Sequence, residues 1–395
     1  SRISVSASDG VAIDSDVAVK VLQKNLVVDP LLASRLASGG DLLSIASLEL
    51  LPESQRSAAS LSLSARAGSV PGAATLTLGE GASITADARG DITLSAVDGM
   101  SIEGRVTAPG GRVALSVSGN AALTSRGVAL GPASAISTAG VFVATPSDRG
   151  LLQGSLVNGG TVTIDARNAG VSIARGAVID LSGVNQVVDI ITGGSQPRIA
   201  QQTLDGHAGA LVLRSQGATT LDGKFIGQGG SLAAAGGSFS LELRRPDGQA
   251  RLPDERRIVV TPTSDTVAAQ QGYADATVNL SKLVVGGFEK LRLLSENRIE
   301  FRGSSTLDFE RGIRLDAPLL DIVGGAVVSL RGSSVALGQS LGERRLVSDG
   351  GGATWQLTDG TQSPALGTRT GAGVFTVDGG NVNLFGSLTV NGVAR

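Results

Sequence analysis

Leu291-Arg292-Leu293-Leu294-Ser295, Ile313-Arg314-Leu315-Asp316-Ala317 and Ser334-Val335-Ala336-Leu337-Gly338 read as three copies of one unit. The apolar pair Leu291/Leu293 returns as Ile313/Leu315 and again as Val335/Leu337, each time after 22 residues. Between these copies Ile299 and Phe301 map onto Leu320 and Ile322, and Leu307 and Phe309 onto Val328 and Leu330, all at a step of 21. Each period therefore holds three short alternating strands. Residues two apart on a strand share a face, so one side of each strand is apolar and the other polar. Such a unit cannot bury its apolar side alone, and stacking copies buries it. The expected fold is all-β: a right-handed parallel β-helix, a three-faced solenoid of about 21–22 residues per rung, with loop or hairpin insertions. A left-handed hexapeptide solenoid would repeat at about 18 residues, which the 21- and 22-residue steps oppose.

The same step recurs upstream. Ile92 and Leu94 match Val113 and Leu115 at 21, Ile102 matches Leu123 at 21, and Val106 matches Val128 at 22. Further rungs run through Val162/Ile164, Val171/Ile173 and Ile179/Leu181, then Leu211/Leu213, Phe239/Leu241 and Val382/Leu384. The pairs Gly110-Gly111, Gly159-Gly160 and Gly379-Gly380 precede strands, where corners demand close approach or a left-handed backbone.

Composition agrees with a narrow bore. Of 395 residues 56 are Gly, and aromatics make up only 3%, with a single Trp and a single Tyr. Globular enzyme cores lean on aromatics for buried area, whereas a solenoid bore is filled by Val, Ile, Leu and Ala. A net charge of -2 gives no electrostatic pull toward nucleic acid. No run of 18 apolar residues marks a membrane span. Cysteine is absent. The chain opens already in a strand pattern at Ile3-Ser4-Val5 and ends in one, so we expect it to be part of a longer chain.

The regularity breaks in four places. Residues 12–58 are Leu-rich and less alternating, which suggests an irregular insertion, loop or short helix. Residues 184–207 read as a loop between rungs. Residues 245–280 hold three prolines and the charged run Asp254-Glu255-Arg256-Arg257, and read as a projecting insertion. Residues 342–378 carry Trp355 among Gly, Thr and Asp turn residues, and read as a second projecting insertion. Insertions in solenoids gather on one side and carry binding.

The rung Gly159-Gly160-Thr161-Val162-Thr163-Ile164-Asp165-Ala166, followed by Gly176-Ala177-Val178-Ile179-Asp180-Leu181-Ser182-Gly183, resembles the filamentous haemagglutinin type of exoprotein. Those proteins are the secreted partners of two-partner secretion systems in Gram-negative bacteria. The resemblance covers most of 60–245 and 285–340 and rests on repeat style. It implies a right-handed parallel β-helix, export through a dedicated outer-membrane transporter, a place outside the cell or at its surface, and work as an adhesin or toxin-carrying stalk. The family's secretion domain carries Asn-Pro-Asn-type motifs, and none occurs here, so the resemblance is to the shaft.

Candidate sites are few. Arg89-Gly90-Asp91 is a cell-attachment tripeptide, which needs an exposed loop tip; here it leads straight into a strand, and Gly and Asp are ordinary corner residues. Arg256, Arg257 and Trp355 lie in the two expected insertions, and exposed Trp and Arg are favoured at interface hot spots. Trp355 could equally pack its insertion onto the shaft. Carboxylates are many but solitary, against the paired acids of sugar-cleaving β-helices. His207 is the one histidine, so no multi-His metal site can form. No cofactor and no catalytic residue is expected. The competing readings are a structural and adhesive shaft, a segment that itself binds a receptor on a host or bacterial surface, and a β-helical carbohydrate-active enzyme.

Overall fold

The computed structural model describes residues 1–28, 46–119, 126–193, 197–244, 255–263, 273–340, 344–348, 353–357, 373–386, 388–391 and 393–394. Three parallel sheets wrap one aliphatic bore. The first face runs from Arg2–Ser8 through Ser60–Arg66, Asp91–Ala96, Arg112–Val117 and Thr161–Ala166 up to Val374–Phe385. The second face holds eleven strands, from Val11–Ile13 to Thr389–Asn391. The third holds six, from Ala18–Val21 to Lys224–Ile226. Beyond these, Val327–Gly338 and Val374–Phe385 run continuously round the corner from third face to first, and Ser305–Asp308 pairs with the start of the former. Eleven or twelve strands stacked about 4.8 Å apart give a rod about 50 Å long.

The alternation read from sequence sets the packing. In Thr161–Ala166, Val162, Ile164 and Ala166 are buried while Thr161, Thr163 and Asp165 face out. The repeats at 22 are register partners: Leu291 pairs Ile313, which pairs Val335, and Leu293, Leu315 and Leu337 follow suit. Ile299 pairs Leu320, and Phe301 pairs Ile322.

Four sequence matches shift. Leu307 pairs Leu330, not Val328, and Phe309 turns the corner with its amide donating to the Arg331 carbonyl. Ile102 pairs Leu130, and Leu123 lies outside the described residues. Val106 pairs Ile136, whereas Val128 belongs to the second face opposite Met100. The connection after Arg112–Val117 is longer than in the preceding rung, so a constant step of 21 or 22 lands on the wrong face.

The expected projecting insertion at 245–280 is corrected over its described part. Glu255–Thr261 and Tyr273–Asn279 are neighbouring parallel strands of the second face, between Thr219–Leu221 and Arg298–Arg302. They stack in reverse chain order, with the earlier strand further along the rod. Their inward residues Ile258, Val260, Ala276 and Val278 join the bore. The first face has only one strand, Gly237–Leu243, over the same interval. The third face has the helix Leu280–Val285 above Lys224–Ile226, tied by the Gly227 amide to the Gly286 carbonyl at 2.7 Å and by Lys282 Nζ to the Asp222 carbonyl at 2.9 Å. A helix is about 10 Å across, or two strand spacings, so the doubled strand on one face matches the width of the helix on the next.

The other breaks also differ from expectation. Within 12–58, Ala18–Val21 is a regular strand of the third face, and the excursion proper is an antiparallel pair of Asn25–Val28 with Ala46–Glu49, followed by a 3-10 turn at Glu53–Gln55. Within 184–207 the chain is not a loop but an antiparallel hairpin of Asn185–Thr192 with Arg198–Asp205. Arg344–Ser348 pairs antiparallel with Ala353–Leu357, and Val374 onward is back in the main sheet. Residues 358–372 lie outside the described residues.

Candidate functional site

In the first half of the chain the antiparallel strand pairs among the described residues leave the rod at one corner, between the third face and the next strand of the first. That corner is minimal at 87–90 and at 108–111. It expands to the paired strands Asn25–Val28 and Ala46–Glu49, to a hairpin of Val141–Thr145 with Gln153–Val157, to the 185–205 hairpin, and to the 227–236 connection. The excursions thus form a ridge along one edge of the rod.

Glycine keeps this corner in line. Gly90, Gly111, Gly160 and Gly209 stack one above another at the entry to the first face. A Cβ on Gly111 would collide with the Gly90 carbonyl, one on Gly160 with that of Gly111, and one on Gly209 with that of Gly160. Only hydrogen fits between these backbones, which is the physical content of the Gly pairs in the sequence.

Arg89-Gly90-Asp91 lies on this ridge, at its tightest point. Arg89 has φ +64 and Gly90 is buried against Ala86, Asp87 and the Ala59 carbonyl. Asp91 begins the strand Asp91–Ala96, opposite Arg112. Both charges face solvent, but the tripeptide is flush with the shaft and does not stand at a loop tip. Segment 51–56 is clamped beside it. Arg56 makes a bidentate pair with the buried Asp87, the Arg56 guanidinium also donates to the Leu51 carbonyl at 2.6 Å, and Glu53 accepts from the Ala88 amide at 2.8 Å. On the other side Val143 and Val157 of the 141–157 hairpin pack on Ala88. This hairpin was missed in the sequence, where Val141-Phe142-Val143 is a short apolar run with no marker of an insertion.

The 141–157 and 185–205 hairpins are coupled. The Asp189 amide donates to the Leu152 carbonyl at 2.8 Å, and the Leu152 amide donates to the Asp189 carboxylate at 2.9 Å. At their base His207 joins three connections. Its amide donates to Asn158 Oδ1, its carbonyl accepts from the Gly159 amide, and its Nδ1 accepts from the Ala235 amide at 2.9 Å. The accepting Nδ1 leaves the ring proton on Nε2. The only histidine is thus a splint between excursions. Exposed apolar side chains occur here: Leu26, Leu48, Leu50, Leu152, Val187, Ile191, Ile199 and Leu232 sit on ridge segments, while others such as Ile3, Val285 and Leu384 lie elsewhere on the rod. Ile191 and Ile199 are direct cross-strand partners.

The remaining sequence candidates lie elsewhere. Arg256 and Arg257 are buried, 4% and 2% exposed, and are not a free basic patch. The Arg257 guanidinium donates to both Asp275 carboxylate oxygens, at 2.6 and 3.0 Å, and to Glu300 at 3.1 Å. Burial opposes its charge, but the Asp275 hydrogen bonds and the Glu300 and Asp275 charges outweigh burial and raise its pKa. Glu300 also pairs with Arg302, and Arg298 with Asp321. These residues face away from the bore, yet Val259 and Leu319 beside them are fully buried, so this outer surface is covered. Trp355 pairs in backbone register with Leu346; its side chain lies outside the described residues. Among the described residues no cluster of three His, Cys, Asp or Glu could hold a metal ion, and no helix is long and apolar enough to cross a membrane.

Comparison with protein-family models, with curated proteins and with solved structures returned no match.

Proposed function

We propose that the chain is a structural and adhesive shaft of a large secreted bacterial exoprotein of the filamentous haemagglutinin type. On this reading it is exported through an outer-membrane transporter, reaches the cell surface or the medium, and attaches to host cells or other surfaces or holds a distal binding or toxin segment at a distance. It performs no catalytic step. The rod supplies reach, because parallel ladders and a continuous aliphatic bore resist bending without needing a ligand. The observation that carries the reading is the ridge: strand pairs bearing exposed apolar side chains, two of them coupled, leave one corner of the solenoid over the first part of the chain. Loops held on a rigid scaffold are where recognition resides. Charge and composition add that the contact is not electrostatic capture of nucleic acid.

The same observation favours a role for the segment in binding over a role as a mere spacer. Exposed apolar side chains on the excursions contribute nothing to the bore, and large apolar groups left in water mark contact surfaces when they gather. Beads coated with the purified chain should adhere to cultured host cells or to bacteria more than beads coated with a smooth solenoid of equal length. Equal adhesion of the two would sink the reading.

A further inference from the structure

The 185–205 hairpin has one covered edge and one open edge. The Gly206 amide donates to the Val184 carbonyl directly across the hairpin, at 2.8 Å. Opposite pairs in step with it exchange hydrogen bonds inside the hairpin, so the alternate residues point theirs outward. Asp189 agrees: its amide leaves the hairpin on the Asn185–Thr192 side and reaches Leu152. On the Arg198–Asp205 side the outward groups belong to Ile199, Gln201 and Thr203, and among the described residues they meet no backbone partner.

Between its charged ends, Arg198 and Asp205, this edge lacks the usual safeguards. Solvent-exposed edge strands are protected by charges, Pro, bulges or a covering element. Ile199-Ala200-Gln201-Gln202-Thr203-Leu204 has no charge, no Pro and no Gly, and its ladder with Asn185–Thr192 has no bulge. Ile199 is 65% exposed and sits beside Ile191 at 47%. A bare edge of this kind fits one ligand chemistry, an extended strand.

We propose that a second copy of this chain pairs antiparallel along the Arg198–Asp205 edge, giving a four-stranded sheet across two rods. The charges favour this occupant and direction. The strand begins at Arg198 and ends at Asp205. Antiparallel self-pairing sets each Arg198 end beside an Asp205 end, whereas parallel pairing sets like charges together. Hydrogen bonding requires outward-facing residues to oppose each other. A two-fold axis at Gln201 meets this condition and sets Ile199 opposite Thr203 of the second copy, a pair of β-branched side chains suited to a sheet. Moving the axis to Gln202 would set Ile199 against Asp205. The contact is isologous and closes at two copies.

Light scattering across a dilution series from micromolar to millimolar tests this. The chain should pass from 39.5 kDa to twice that mass as concentration rises. Gln201→Pro removes an amide that the hairpin itself does not use, so the far-UV spectrum should be unchanged and the dimer lost. Thr203→Lys, a charge on the open edge, should also abolish the dimer and serves if Pro disturbs the hairpin. Exchange of the Gln201 amide should slow with concentration in the parent chain only. A single species of 39.5 kDa at every concentration, or a dimer indifferent to both substitutions, overturns the proposal.

Discussion

Arg257 and Asp275 stand directly opposite each other on neighbouring strands of the second face, joined by two hydrogen bonds, although the chain order of those strands is reversed along the rod. The pair is buried, and Glu300 on the following strand completes it. Removing the arginine alone would leave the buried Asp275 and Glu300 without the guanidinium that joins them.

Arg257→Met should therefore destabilise by about 3–5 kcal/mol, the cost of breaking a buried pair from one side. Arg257→Lys should recover only part, since an ammonium cannot serve both Asp275 oxygens and Glu300 in the same geometry. Replacing Arg257, Asp275 and Glu300 together by apolar residues should be less harmful than Arg257→Met alone. Denaturant titration of the four proteins ranks them; equal stability of Arg257→Met and the parent contradicts the structure.

The glycine stack gives a second expectation. Gly160→Ala forces a methyl against the Gly111 carbonyl and should cost about 1–3 kcal/mol, as overpacking does. Thr163→Ala, facing solvent on the same strand, should stay within about 0.5 kcal/mol. A thermal melt that fails to separate the two would refute the ladder.

One column of the bore can be compared with itself. Leu337 and Leu384 are register partners, but Leu337 is buried while Leu384 is 70% exposed. Leu337→Ala should lose about 2–5 kcal/mol. Leu384→Ala should lose less than about 1 kcal/mol, because little area is withdrawn from water there. The reverse order in a denaturant series would mean that the rungs are wrongly assigned.

Asp91→Glu should leave cell attachment unchanged, and soluble peptides carrying the tripeptide should not compete. Gly90 is walled in by Ala86, Asp87 and Ala59, and Asp91 is committed to a strand, so the motif cannot adopt a protruding tip. Loss of attachment on this one-methylene change would assign the corner a direct role.

The fold was legible because solenoid strands carry two signals at once, alternation within the strand and recurrence between strands. Leu291, Ile313 and Val335 show both, and their pairing follows. Legibility failed where one signal masked the other. The run around Arg256 and Arg257 looks solvent-seeking, yet its neutralising carboxylates Asp275 and Glu300 arrive from 18 and 43 residues away. A charge read without its partner is placed on the surface. The 141–157 hairpin offers short apolar runs of rung-like length, and its antiparallel pairing shows only in the structure. That the excursions share a corner follows from counting faces, which variable connections such as 118–127 defeat in the sequence. Arg89-Gly90-Asp91 was found as a motif, but one of the companions that bury its glycine, Ala59, lies 31 residues away.

The most direct test of the account replaces the 141–157 and 185–205 excursions by corners copied from Ala108-Pro109-Gly110-Gly111 and measures attachment of the labelled chain to cells. The rod should keep its melting transition, since the bore is untouched, and attachment should fall to background. Attachment equal to that of the parent, or a parent that attaches no better than a smooth solenoid, would contradict the claim that the ridge is the face with which this shaft meets other surfaces.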